Sequence, residues 1–277
     1  MDKLKDVIKD SSPETDASTD SGGLLVCEKC GEPRQKQMFL SGRDKPFIIH
    51  IPCECERRAE RERLKRDELA SAKKKVDEMR RECFARSGFY RDCTFAGDDG
   101  LTPGLSSVCQ RYADAFDPND PYGLLLWGSV GTGKSFMSSS IANRVIDLGY
   151  SALQTDVRCI VNLMESSFEN RQRNLDRILG YDLLLIEDLG AQRSTSYMME
   201  HVFSVIDGRY KTGKPMVVTT NFGSDRINGS LHDGDDPWSR IFDRILERCY
   251  PIRFTGENRR TIKKDDMRKI MRERLGI

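Results

Sequence analysis

Three continuous apolar runs interrupt a chain otherwise dense in charge: Gly123-Leu124-Leu125-Leu126-Trp127, Leu183-Leu184-Leu185-Ile186 and Met216-Val217-Val218. None alternates, so each reads as a strand covered on both faces, the habit of a parallel sheet. Gly149 to Thr155 reads as a further strand. Helical periodicity fills the gaps. Residues 136–146 carry apolar side chains at 137, 141, 142 and 145, and residues 197–210 at 198, 199, 202, 203, 205 and 206. The spacing predicts further helices over 106–116, 157–179 (one or two) and 239–246. Strands alternating with helices predict an α/β fold, a parallel sheet flanked by helices.

The pattern changes upstream. From Glu54 to about Ala85 there is no Pro or Gly, and the apolar positions are sparse: Leu64, Leu69, Val76, Met79 and Phe84. Residues 54–82 hold eleven Lys/Arg against nine Asp/Glu, which predicts a solvated linker helix rather than a polybasic one. Before it, Met38-Phe39-Leu40 and Phe47 to Ile51 predict two short strands. Residues 1–23 include a Ser/Thr/Asp/Gly tract with too little apolar surface to fold alone, and read as a disordered tail. The expected organisation is a tail (1–23), a small cysteine-rich module (24–55), a charged linker helix (56–86) and an α/β domain (87–277) with a turn at Asp98-Asp99-Gly100 near its start.

Composition narrows the classes. Lys and Arg number 45 and Asp and Glu 44, so the formal charge of +1 speaks against a globally basic nucleic-acid binder. Residues 253–274 are locally basic, nine Lys/Arg to four Asp/Glu. No apolar run approaches the ~20 residues a membrane span needs. The start of the chain lacks the apolar core of a signal peptide. Nine cysteines, four clustered and five scattered, fit metal ligation plus free thiols, which points to the reducing cytoplasm and away from a membrane.

The candidate chemistry sits where strands end. Gly128-Ser129-Val130-Gly131-Thr132-Gly133-Lys134-Ser135 fits the G-x-x-x-x-G-K-[ST] phosphate loop at every fixed position, between a strand and a helix that opens with Phe136. Its glycines let backbone N–H groups close around phosphate oxygens, and the helix N-terminus adds a favourable field. Lys134 then reaches the β- and γ-phosphates, and the Ser135 hydroxyl binds Mg²⁺. A second apolar strand ends in Glu187-Asp188, the acidic half of a nucleotide site, one carboxylate for Mg²⁺ and one for the attacking water. Separately, Cys27-x2-Cys30 and Cys53-x-Cys55 supply four thiolates for a tetrahedral structural Zn²⁺, with Gly31 allowing the turn and His50 as a substitute ligand. The competing reading is a set of unrelated thiols.

In order and spacing, GSVGTGKS, LLLIEDLG, PMVVTTN and SRIFDRI resemble the DnaC/DnaI helicase loaders and their IstB relatives, AAA+ ATPases of the initiator clade, over roughly residues 80–262. The cysteine module is similar to the DnaI side of that group. The resemblance implies ATP with Mg²⁺ as cofactor. It also implies loading of the hexameric replicative helicase onto single-stranded DNA, self-association through the ATPase domain, and an N-terminal grip on the helicase. By motif, it makes Lys134 and Ser135 the Walker A pair, Glu187 and Asp188 Walker B, Asn221 sensor 1 and Arg260 sensor 2. It makes Arg244 the arginine finger, with Arg240 one turn earlier as its rival. The family usually reads Asp-Glu or Asp-Asp where this chain has Glu-Asp, which bears on hydrolysis speed rather than on binding. An IstB-like regulator of a DNA transposase shares the same core and is the alternative; a zinc-dependent adaptor with a vestigial ATPase is a third reading.

Overall fold

The computed structural model describes residues 17–40, 45–165, 168–191, 195–229 and 237–277. The chain divides at Lys73/Lys74 into two compact units.

The first unit holds two hairpins and the start of a long helix. Strand β1 (Ala17–Thr19) pairs antiparallel with β2 (Leu25–Cys27), and β3 (Gln35–Met38) with β4 (Phe47–His50) in the register Gln35 opposite His50. Most of the expected disordered tail, residues 1–16, lies outside the described residues. The rest differs from expectation, because residues 17–19 find a partner strand. The Asp20 carboxylate accepts from Gly22 and Leu24 N–H, both at 2.9 Å, and so satisfies the turn between the strands. Helix α1 (Glu54–Cys83) begins two residues before the expected linker. Cys53 caps it, and Glu56 at the third helical position accepts from the Cys53 N–H at 3.2 Å, half of a capping box.

The second unit is the α/β domain. Its elements are α2 (Pro103–Asp114), β5 (Gly123–Trp127), α3 (Lys134–Asp147), β6 (Ala152–Asp156), α4 (Val157–Met164), α5 (Phe168–Gly180), β7 (Leu183–Leu189), α6 (Ser196–Thr212), β8 (Met216–Thr220), α7 (Ser224–Gly229), α8 (Pro237–Arg248), β9 (Cys249–Arg253) and α9 (Arg259–Leu275). The sheet is wholly parallel in the order β6-β7-β8-β5-β9. Alternate residues of the apolar runs feed two cores. Leu125, Leu184, Ile186 and Val218 pack with α4, α6 and α8, while Leu124, Leu126, Leu183, Leu185 and Val217 pack with α2, α3 and the end of α1. That two-sided burial is why the runs do not alternate.

Two features escaped the sequence pattern. Strand β9 contains Pro251, which an edge strand tolerates because one side of its backbone has no ladder to complete. Arg209 of α6 is fully buried. It donates to the carbonyls of Leu179 (3.2 Å), Tyr181 (2.7 Å), Asp182 (3.1 Å) and Pro215, pinning the end of α5 and the approaches to β7 and β8. Burial pushes its pKa down to about 10, so it stays charged at neutral pH. Among the described residues no helix is long and apolar enough to cross a membrane.

Candidate functional site

The loop between β5 and α3 turns through Gly131 and Gly133, whose φ values of 83° and 97° belong to the left-handed region. Thr132 Oγ1 ties the loop to itself through the Ser129 carbonyl at 2.9 Å. Lys134, the first residue of α3, is 5% exposed. Its Nζ donates to the carbonyls of Gly128 and Ser129, each at 2.8 Å, so the ammonium lies along the loop's inner curve. Burial lowers its pKa, against the pull of Asp188 and Glu187.

Strand β7 delivers the two acids differently. Glu187 is 8% exposed and accepts from Thr219 Oγ1 at 3.0 Å through Oε2, while its Oε1 is buried without a partner. Burial raises its pKa, opposed by the hydroxyls of Ser138, Ser135 and Thr219. A buried carboxylate oxygen left open close to Ser135 suits a divalent cation, as the motif expects. Asp188 turns outward at φ 51°, where the β7–β8 pairing shifts register, and its N–H donates to Thr219 Oγ1 at 2.9 Å. Thr219, on the neighbouring strand, thus holds both acids; the polar end of the third apolar run was its only signal in the sequence.

Lys134, Ser135, Phe136, Asp188, Asn221 and Arg260 line one cleft with Val130, Gly131 and Gly133. Its far wall is Phe89, Tyr90, Asp98 and Asp99, on and after the short 3₁₀ turns at Gly88–Asp92 and Phe95–Gly97. The sequence pattern marks only the turn at Asp98-Asp99-Gly100 there. Asn143, buried in α3, fixes this wall by donating to the carbonyls of Tyr90 (3.0 Å) and Cys93 (2.7 Å).

Arg244 lies elsewhere. On α8 it pairs with Asp207 (3.4 Å), Asp243 (3.4 Å) and Glu247 (3.9 Å) and sits 4.6 Å from the Tyr210 ring centroid. Arg240 is exposed, with its guanidinium 5.1 Å from the Phe203 ring centroid. Neither lines the cleft that holds Lys134.

In the first unit the sulfurs of Cys27, Cys30, Cys53 and Cys55 all lie within 4.8 Å of one another. A ZnS₄ tetrahedron with Zn–S of about 2.3 Å has edges of about 3.8 Å, so the set fits the metal. The backbone N–H groups of Cys30 and Lys29 help lower the Cys27 thiol pKa to about 7, poising it as a thiolate ligand. His50 instead faces Glu56 at 3.5 Å. Metal analysis of freshly purified, reduced protein is expected to find about one equivalent of zinc, and Cys27→Ser to lose it. Metal-free parent protein would leave four unrelated thiols.

A family model described as IstB-like ATP binding protein matches residues 117–267. The chain is 26% identical over 206 residues to the replicative helicase loader DnaI of Bacillus subtilis (strain 168), covering 68% of this chain and 66% of that protein. It is 27% identical over 173 residues to the replicative helicase loader DnaC of Escherichia coli (strain K12), covering 58% and 67%. The chain thus spans about two thirds of the length of these relatives. A crystal structure of the DnaC helicase loader superposes with a TM-score of 0.53 at 19% identity, over 61% of this chain and 100% of that one, a likeness of fold that bears out the parallel sheet flanked by helices. The matched span is more than half of the sequence and contains the whole phosphate loop, and the chain belongs to the IstB-like ATP-binding protein family.

Proposed function

We propose that this protein is a cytoplasmic ATPase that loads a hexameric replicative helicase onto single-stranded DNA. The observation that carries the reading is the convergence of the phosphate loop, Asp188, Asn221 and Arg260 on one cleft, with Glu187 buried beside Asp188, in a chain whose relatives are replicative helicase loaders. Mg-ATP, when bound, supplies the phosphoryl group whose transfer drives the cycle. The chain's part is positioning and charge neutralisation. Residues 128–136 would hold the phosphates, Lys134 would neutralise their charge, and Ser135 with the open Oε1 of Glu187 would ligate Mg²⁺. Asp188 would orient the attacking water, and Asn221 and Arg260 would contact the terminal phosphate, all three lining the cleft. Residues 24–55, with Zn²⁺ on the four cysteines, grip the helicase; 56–86 link them to an ATPase domain at 87–277 that self-associates and touches single-stranded DNA.

The test uses the full chain and a purified hexameric replicative helicase. In ATP the two are expected to co-elute, and helicase is expected to transfer to single-stranded DNA in a salt-sensitive manner, because phosphate contacts release counterions. Absence of any complex, with a DNA transposase bound instead, would favour the transposase-regulator reading.

A further inference from the structure

The Asp98-Asp99-Gly100 turn and the arginine before Arg260 have no task in the site as described. The structure joins them. Arg259 opens α9 with its side chain 13% exposed. Its Nε donates to Asp99 Oδ2 at 2.6 Å and its Nη2 to Asp99 Oδ1 at 3.0 Å, a two-pronged fork across 160 residues of sequence. Nη2 also donates to Thr102 Oγ1 at 2.9 Å. On the other side, Nη1 donates to the Thr132 carbonyl, and the Arg259 backbone N–H donates to the Gly131 carbonyl at 3.0 Å.

One side chain therefore grips the phosphate loop with one nitrogen and the far wall of the cleft with the other two. The fit is close. A Cβ on Gly133 would lie 1.8 Å from Arg259 Nη1, and one on Gly131 would lie 2.0 Å from Asn258 Oδ1, the cap of α9. So Asn258 and the first residue of α9 fill the space that side chains at Gly131 and Gly133 would need. Arg259 and Arg260 both line the cleft. Wall, loop and Arg260 cannot separate while the fork holds.

We propose that Arg259 is a positioning residue, and that its clasp with Asp99 sets the rate at which nucleotide leaves. This rests on the ATP-binding reading above. A nucleotide held between the loop and the wall leaves when those two surfaces part, and parting them breaks a charge-assisted bidentate pair. Arg259→Lys cannot restore the clasp, because an ammonium has no planar fork to span both partners.

The decisive variant is Asp99→Asn. Asp99 lines the cleft, so neutralising it by simple electrostatics strengthens the hold on an anion and slows release. The clasp predicts the opposite sign. In stopped-flow release of mant-ADP from the full chain, Asp99→Asn and Arg259→Ala are each expected to speed release about tenfold, the scale of one charge-assisted hydrogen bond, with little change in association rate. The double variant is expected to release no faster than the quicker single one. In the nucleotide-free chain both are expected to speed hydrogen exchange of the Gly133 and Lys134 amides. Release from Asp99→Asn at the parental rate or slower, or full additivity in the double variant, overturns the clasp. Parent protein that fails to bind mant-ADP at all overturns the ATP-binding reading, and the control of release falls with it.

Discussion

Replacing Arg244 with alanine is expected to leave ATP binding intact and to cut hydrolysis by the assembled protein on the order of 10³-fold or more, the worth of an arginine finger. The residue sits outside its own cleft, so any contact with a γ-phosphate has to be made across a subunit boundary. Within its own subunit Arg244 has three acids around it at 3.4–3.9 Å. Pairs at this exposure stabilise by roughly 0–1 kcal/mol, a hold that assembly can break. The alternative is that those acids are the whole of its role, in which case Arg244→Ala hydrolyses ATP like the parent. Arg240 is the more open of the two, with its guanidinium over the Phe203 ring. If Arg240→Ala alone loses activity, the finger is one turn earlier. Mixing Arg244→Ala with Lys134→Ala protein is expected to restore part of the rate, since the site of one receives the arginine of the other. If neither arginine matters, the assembly model fails.

Lys134→Ala is expected to weaken ATP binding on the order of a hundredfold, about two charge-assisted hydrogen bonds at ~1.5 kcal/mol each. The Lys134 ammonium already rests on the carbonyls of Gly128 and Ser129, on the loop's inner curve. Its loss leaves those two carbonyls without their donor, so a modest fall in melting temperature is expected alongside retained circular dichroism. Calorimetric titration with Mg-ATP reads the affinity directly. Parental affinity in the variant would remove the phosphate loop from the site.

Most of the sheet was legible because its strands are buried on both faces, and continuous runs such as Leu183 to Ile186 arise for few other reasons. The phosphate loop was legible because its glycines and Lys134 answer to geometry a few residues long. What was not legible depends on partners distant in the chain. Asp99 and Arg259 each read as ordinary surface charge until the fold brings them together. Arg209 looked polar and is interior, because four carbonyls at element ends replace water around it. β9 was hidden by Pro251, whose cost vanishes only at an edge position that sequence does not reveal. The cysteine cluster was half legible: spacing marked four ligands, but it took the fold to turn His50 toward Glu56.

The outward turn at Asp188 constrains how this ATPase can evolve. Among the described residues it is the only non-glycine position with a positive φ. Left-handed backbone costs an L-residue on the order of 1–2 kcal/mol, and aspartate is among the few side chains that ease the cost by bonding locally. A glutamate there gains a methylene of reach toward the attacking water and loses that ease. Moving the longer acid into place therefore also calls for removing the register shift between β7 and β8, and each change is unfavourable without the other. If Asp188 has the catalytic role proposed above, the Glu-Asp order is an epistatic lock: the tempo of hydrolysis is then set by the backbone of a strand end, where selection on single side chains has little purchase.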